Sequence, residues 1–108
     1  MSDDPLSWLS RWFLSQCNSE WEHADGIQIE SLDNPGWMLK IYLRETDLEG
    51  RLFETLVHGE PNDDLDEWQR NGSWWVVRKV DYYFEAACGP LDLPKVVEIF
   101  RAWAEAPQ

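Results

Sequence analysis

Hydrophobic residues recur along this chain with two periods, and each period predicts a different kind of element. Leu6, Leu9, Phe13 and Cys17, with Trp8 and Trp12 beside them, are spaced by three and four, which predicts an amphipathic helix over about residues 5–17. Asp4 followed by Pro5 is a good start for it: a side-chain acceptor at the N-cap, then a residue whose missing N–H costs nothing at the first helical position. Period two follows. Ile27 and Ile29 alternate with Gln28 and Glu30, and Trp37, Leu39, Ile41 and Leu43 alternate with Met38, Lys40 and Tyr42. Asp33-Asn34-Pro35-Gly36 lies between these runs and predicts a hairpin with type II turn chemistry, proline fixing φ and Gly36 supplying a positive φ.

Residues 44–72 are weaker in pattern. Leu52 to Val57 predicts a third strand, and Glu60 to Glu67 reads as a polar loop. Trp74 to Val80 is β-branched and aromatic, which predicts a strand buried on much of both faces. Asp81-Tyr82-Tyr83 turns the chain into a last strand, Phe84 to Cys88, ended by Gly89-Pro90. Asp92 then caps a closing helix with Leu93, Val96, Val97, Phe100 and Trp103 on one stripe. The expected fold class is α+β: a single domain, 1–108, with a four- to five-stranded, mostly antiparallel sheet flanked by an N-terminal and a C-terminal helix. Such a sheet buries one face under the helices and leaves the other partly free.

Composition narrows the function classes. Of 108 residues, 21 are acidic and 9 basic, a net charge of −12. A field of that sign repels phosphate, so direct binding to nucleic acid or to an anionic membrane is disfavoured, and a basic protein is the natural partner. The start of the chain is acidic and lacks the basic region of a signal peptide, and no apolar run approaches the length of a membrane span, so a cytoplasmic location is expected. Cys17 and Cys88 form no CxxC pair and no zinc set with His23 and His58, and read as reduced thiols; neither a metal nor a cofactor is expected. The charge also opposes self-association at low salt, which weighs toward a monomer without deciding the oligomeric state.

The charge is concentrated. Residues 45–67 hold nine acids and a single base, Arg51, so this stretch carries −8 of the −12. Within it, the spacing Asp63-Asp64-Leu65-Asp66-Glu67 lacks the one-three-five pattern, central glycine and distal Glu of a calcium loop. Trp8, Trp12, Trp37 and Trp103 fall on core stripes, whereas Trp21, Trp68 and one of Trp74 and Trp75 are harder to bury. An exposed Trp beside carboxylates is a good interface anchor. Glu22 and His23 could form an acid–base pair and Cys88 a reactive thiol, but no nucleophile motif frames either, and no Gly-rich phosphate loop exists.

The order of several of these residues resembles a known family. Trp8-Leu9 and Trp12, Ser15-Gln16-Cys17, Trp21-Glu22-His23, Gly26-Ile27 and Ile29-Glu30 lead into Leu32-Asp33-Asn34-Pro35-Gly36-Trp37. Trp74, Phe84-Glu85, Gly89-Pro90, Ile99-Phe100 and Trp103 follow. This resembles the immunity protein 53 family of bacterial polymorphic toxin systems. The resemblance implies a cytosolic antidote that binds and blocks a cognate toxin domain and catalyses nothing. Many such toxins are nucleases with basic substrate channels, which an acidic inhibitor suits. The contact set expected from charge and exposure is Glu45, Asp47, Glu49, Asp63, Asp64, Asp66 and Glu67, with Trp21 and Trp68 as anchors. Competing readings are an acidic adaptor or nucleic-acid mimic without a toxin, and a small enzyme using Cys88 or the Glu22/His23 pair.

Overall fold

The computed structural model describes residues 4–24, 26–33, 35–59 and 73–107. Helix α1 spans Pro5–Gln16 and a 3-10 turn follows at Trp21–His23. Strands β1 (Ile27–Leu32), β2 (Gly36–Tyr42), β3 (Leu56–His58), β4 (Trp75–Val80) and β5 (Tyr83–Cys88) come next, and helix α2 (Leu93–Glu105) closes the chain. The strands form one five-stranded sheet in the order β1-β2-β5-β4-β3. Every pairing in it is antiparallel. The α+β class, the flanking helices and the sheet are those the periodicities predict.

Alternation decides which face is covered. Leu39 and Ile41 of β2, Phe84, Ala86 and Cys88 of β5, and Val77 of β4 share one face and are fully buried. Helix α2 drives Val96, Val97 and Phe100 into that layer, and Leu9 of α1 joins the same cluster. Rings fill the gaps between layers: Phe100 meets Trp12 and Phe84 edge-on, each with centroids 4.9 Å apart. Asp4 caps α1 as predicted, its carboxylate accepting from the Ser7 amide at 2.9 Å and the Ser7 hydroxyl at 2.7 Å. Those two bonds hold the Asp4 carboxyl below its ordinary range.

Several expectations are corrected. β4 is buried on one face only: among the described residues no element covers its Val76, Arg78 and Val80 side. β3 starts at Leu56, four residues later than expected. Phe53 turns inward instead, against Phe84 and Trp103 at 5.4 Å each, and the Leu52 carbonyl accepts from the Trp103 indole at 2.9 Å. Gly36 needs no positive φ; it is paired with Leu32 in the ladder, and a Cβ there would lie 2.3 Å from the Cys88 carbonyl oxygen. Asp92 occupies the N-cap position of α2 but makes no side-chain cap bond. Its carboxylate accepts instead from the Ser73 hydroxyl at 2.7 Å and the Trp74 amide at 3.0 Å, tying the start of α2 to the start of β4.

Candidate functional site

The segment after β2 is where the acidic stretch begins, and its backbone is pinned by a dense set of bonds. Leu43 is buried and its amide donates to the Tyr82 carbonyl at 2.7 Å. The Leu43 carbonyl in turn accepts from the Thr46 hydroxyl at 2.6 Å, starting a run of turns that carries Leu48 into the core. Gln16, at the end of α1, grips Asp47 from both sides: its Nε2 donates to the Asp47 carboxylate at 3.1 Å and its Oε1 accepts from the Asp47 amide at 3.3 Å. Glu45 takes a left-handed φ of 69°, and its amide donates to the Glu49 carboxylate at 3.3 Å.

Two cations complete the clamp without neutralising the acids. One guanidinium nitrogen of Arg51 donates to the carbonyls of Trp103 at 2.7 Å and Ala106 at 2.9 Å, with a longer contact to Ala104. It thereby caps the carbonyl end of α2, adding to the Ala106 amide that the Trp103 carbonyl also accepts, and sits at the negative end of the helix dipole. Lys79 projects from the helix-facing side of β4 and donates to the Glu49 and Arg51 carbonyls at 3.0 and 2.7 Å. Both charges are spent on main-chain oxygens. The carboxylates of Glu45, Asp47 and Glu49 stay exposed, and among the described residues none of the three closes an ion pair. Beside them an open cleft of about 680 Å³ is lined by Asp47, Arg51, Leu52, Trp103 and Pro107, and Leu52 projects with 91% of its surface exposed.

The structure therefore brings Glu45, Asp47 and Glu49 together on one held segment. Trp21 is corrected: it is 1% exposed and is a core residue in this fold, not a surface anchor. Asn18 accepts from the Glu20 and Trp21 amides, and the Glu22 carboxylate accepts from the Asn18 and Ser19 amides, so the chain reverses just after α1. That reversal seats the Trp21 ring edge-on to Trp12 at 5.8 Å and donates its indole N–H to the Tyr42 carbonyl at 2.9 Å. Asp63, Asp64, Asp66, Glu67 and Trp68 lie outside the described residues. Of the adjacent pair, Trp74 is buried and Trp75 is half-exposed, stacked on His58 at 4.1 Å. Arg51, Lys79 and Leu52 were missed from sequence. Lys79 carried a readable signal, since it shares the alternation of Trp75 and Val77 and so had to find partners on the covered face.

The sites considered for catalysis have chemistry of their own. Backbone amides, its own and those of Asn18 and Ser19, hold the Glu22 carboxyl below its usual range, so Glu22 is committed as an acceptor in the turn. Both cysteines are free thiols. Cys17 is half-buried, and burial, then the nearby Glu22 charge, raises its thiol. Cys88 is fully buried, and burial, with Asp92 adding to it, pushes its thiol up to about 11, which keeps it protonated at neutral pH. Among the described residues no cluster of His, Cys, Asp and Glu could hold a metal ion, and no helix is long and apolar enough to cross a membrane.

Fold and surface define a small two-layer α+β domain whose concentrated exposed chemistry is carboxylate beside apolar contact area. The model of the family described as immunity protein 53 matches residues 6–105, and the chain belongs to that family. Searches of curated proteins and of solved structures return no significant match.

Proposed function

We propose that this chain is a cytoplasmic antidote that binds a cognate polymorphic toxin domain and neutralises it without catalysis. The toxin surface it meets is basic, as in a nuclease whose channel must attract polyanion. The observation that carries the reading, beside family membership, is the trio Glu45, Asp47 and Glu49. They are uncompensated carboxylates on a segment that Gln16, Arg51 and Lys79 hold in place. A held acidic surface docks with little ordering cost. Its charge raises the encounter rate, which matters when a toxin must be silenced soon after synthesis. Carboxylates in the channel exclude phosphodiester substrate by occupancy and by repulsion. Leu52, projecting beside the cleft, supplies apolar contact that slows dissociation. By sequence, Asp63, Asp64, Asp66, Glu67 and Trp68 extend the same docking set.

The test is co-expression with the toxin domain encoded beside this chain, followed by stopped-flow association at several salt concentrations. Wild-type protein rescues growth, co-purifies, and associates at a rate that falls steeply with salt. Glu45→Lys, Asp47→Lys and Glu49→Lys together lower that rate by about tenfold or more and flatten its salt dependence. A second triple reversal, at Asp63, Asp64 and Asp66, asks the same of the other half. Rescue with association unchanged in both variants would show that the toxin docks elsewhere.

A further inference from the structure

The antidote reading leaves unused the sheet face opposite the helices, and register places its side chains in rows. One row runs Gln28, Lys40, Glu85, Arg78 across β1, β2, β5 and β4. A parallel row runs Glu30, Met38, Ala87, Val76, and a third places the Tyr42 and Tyr83 rings 5.2 Å apart. The Lys40 ammonium lies 4.3 Å over the Tyr83 ring. Within a chain of net charge −12, the rows bring two cations, Lys40 and Arg78, against two carboxylates, Glu30 and Glu85. Among the described residues these rows are charge-balanced, so they add no net repulsion to self-association.

The order of the charges has a further property. A two-fold axis along the strands between β2 and β5 exchanges β2 with β5 and β1 with β4. It sets Lys40 against Glu85 of the second copy and Glu85 against Lys40 of the second copy. Arg78 then meets Gln28, Met38 meets Ala87, and Tyr42 meets Tyr83. No like charges oppose each other in this arrangement. Isologous contacts demand this kind of self-complementarity, and aligned sheets stack face to face about 10 Å apart. The geometry points to a homodimer formed through this open face, the occupant being a second copy of the chain. The four strands that overlap about this axis, about 4.8 Å apart and about 20 Å long, make a face of roughly 400 Å², or about 800 Å² over both copies, with the three-residue β3 outside the overlap. That is below the range of stable specific interfaces, so the dimer is a weak, transient one that rests on charge complementarity.

Sedimentation velocity on the chain alone, at about 0.15 M salt and up to about 100 μM, tests this independently of any toxin. Wild-type protein shows a concentration-dependent monomer–dimer equilibrium. Lys40→Glu and Glu85→Lys each weaken it by about tenfold or more, because each sets like charges together twice in its own dimer. Mixed one to one, the two variants form a heterodimer within about threefold of wild-type affinity, since every swapped charge then meets its opposite. An effect confined to the Lys40–Glu85 neighbours inside one chain would not be restored by mixing. Val76→Glu, at an exposed position, places a carboxylate against Glu30 of the second copy and weakens the dimer without touching the core. A chain that stays monomeric throughout, a dimer indifferent to Val76→Glu, or folded single swaps that do not recover on mixing would overturn the proposal.

Discussion

Replacing Trp21 by alanine will cost about 4–6 kcal/mol of folding stability. The indole is 1% exposed, with its ring edge-on to Trp12 at 5.8 Å and tilted against Phe13 at 5.4 Å. Truncating a buried aromatic of this size costs about 3–5 kcal/mol in lost transfer energy and residual cavity. Losing the 2.9 Å bond to the Tyr42 carbonyl adds about 1 kcal/mol. Because whole domains are stable by only about 5–15 kcal/mol, the alanine variant stands near the edge of folding. Trp21→Phe is therefore the companion: it keeps most of the packing, gives up the N–H, and should cost about 1–3 kcal/mol. Urea unfolding followed by far-UV circular dichroism measures both, since the eight Trp make fluorescence hard to assign to one site. The phenylalanine variant should bind and release the partner toxin as wild type does. A Trp21→Ala protein within about 1 kcal/mol of wild type, dissociating faster from its partner, would refute the assignment of Trp21 to the core.

Arg51→Met keeps the aliphatic stem but strips the α2 carbonyls of their donor; about 2 kcal/mol should be lost, with faster amide exchange around residues 103–106. Gly36→Ala forces a Cβ against the Cys88 carbonyl and should cost more than about 2 kcal/mol in a denaturant titration, although alanine is otherwise tolerated in strands. Cys88 should resist alkylation in the folded protein. Its thiol, pushed up to about 11 from an ordinary 9.0, stays protonated where the unfolded chain has already ionised, so its contribution to stability is complete below pH 9 and is lost as pH rises toward 11. Cys88→Ala should flatten that alkaline decline relative to wild type. Asp4 has the opposite sign: its lowered carboxyl contributes above its ordinary value of 3.8 and is lost in acid, so the fall in melting temperature caused by Asp4→Ala should vanish at low pH.

Local chemistry was legible where one element's own residues decide it. The Asp4-Pro5 start, both amphipathic stripes and the alternation in β1, β2 and β5 are properties of short windows, and each formed within a residue or two of its expected bounds. β3 was overread because Phe53 and Leu52 look like strand residues until Phe84 and Trp103 are there to receive them. Trp21 looked exposed because a Trp between a helix and a strand has no stripe to join. Only the folding back of residues 18–22 seats it. Of the candidate surface, the acids themselves were plain from sequence, but not that Arg51, the one base within residues 45–67, points away to α2.

By itself the sequence determined the class of fold, the placement of charge along the chain and the family resemblance, since each depends on spacing and composition within reach of a few residues. Tertiary structure decided which carboxylates are held and uncompensated. It also decided which Trp is core and which sheet face the described residues leave uncovered. Those outcomes depend on partners 30 to 52 residues apart, such as Lys79 and Glu49 or Arg51 and Trp103, which no local period encodes. The −12 of the whole chain thereby resolves into an acidic segment anchored at one end of the fold and a charge-balanced sheet face.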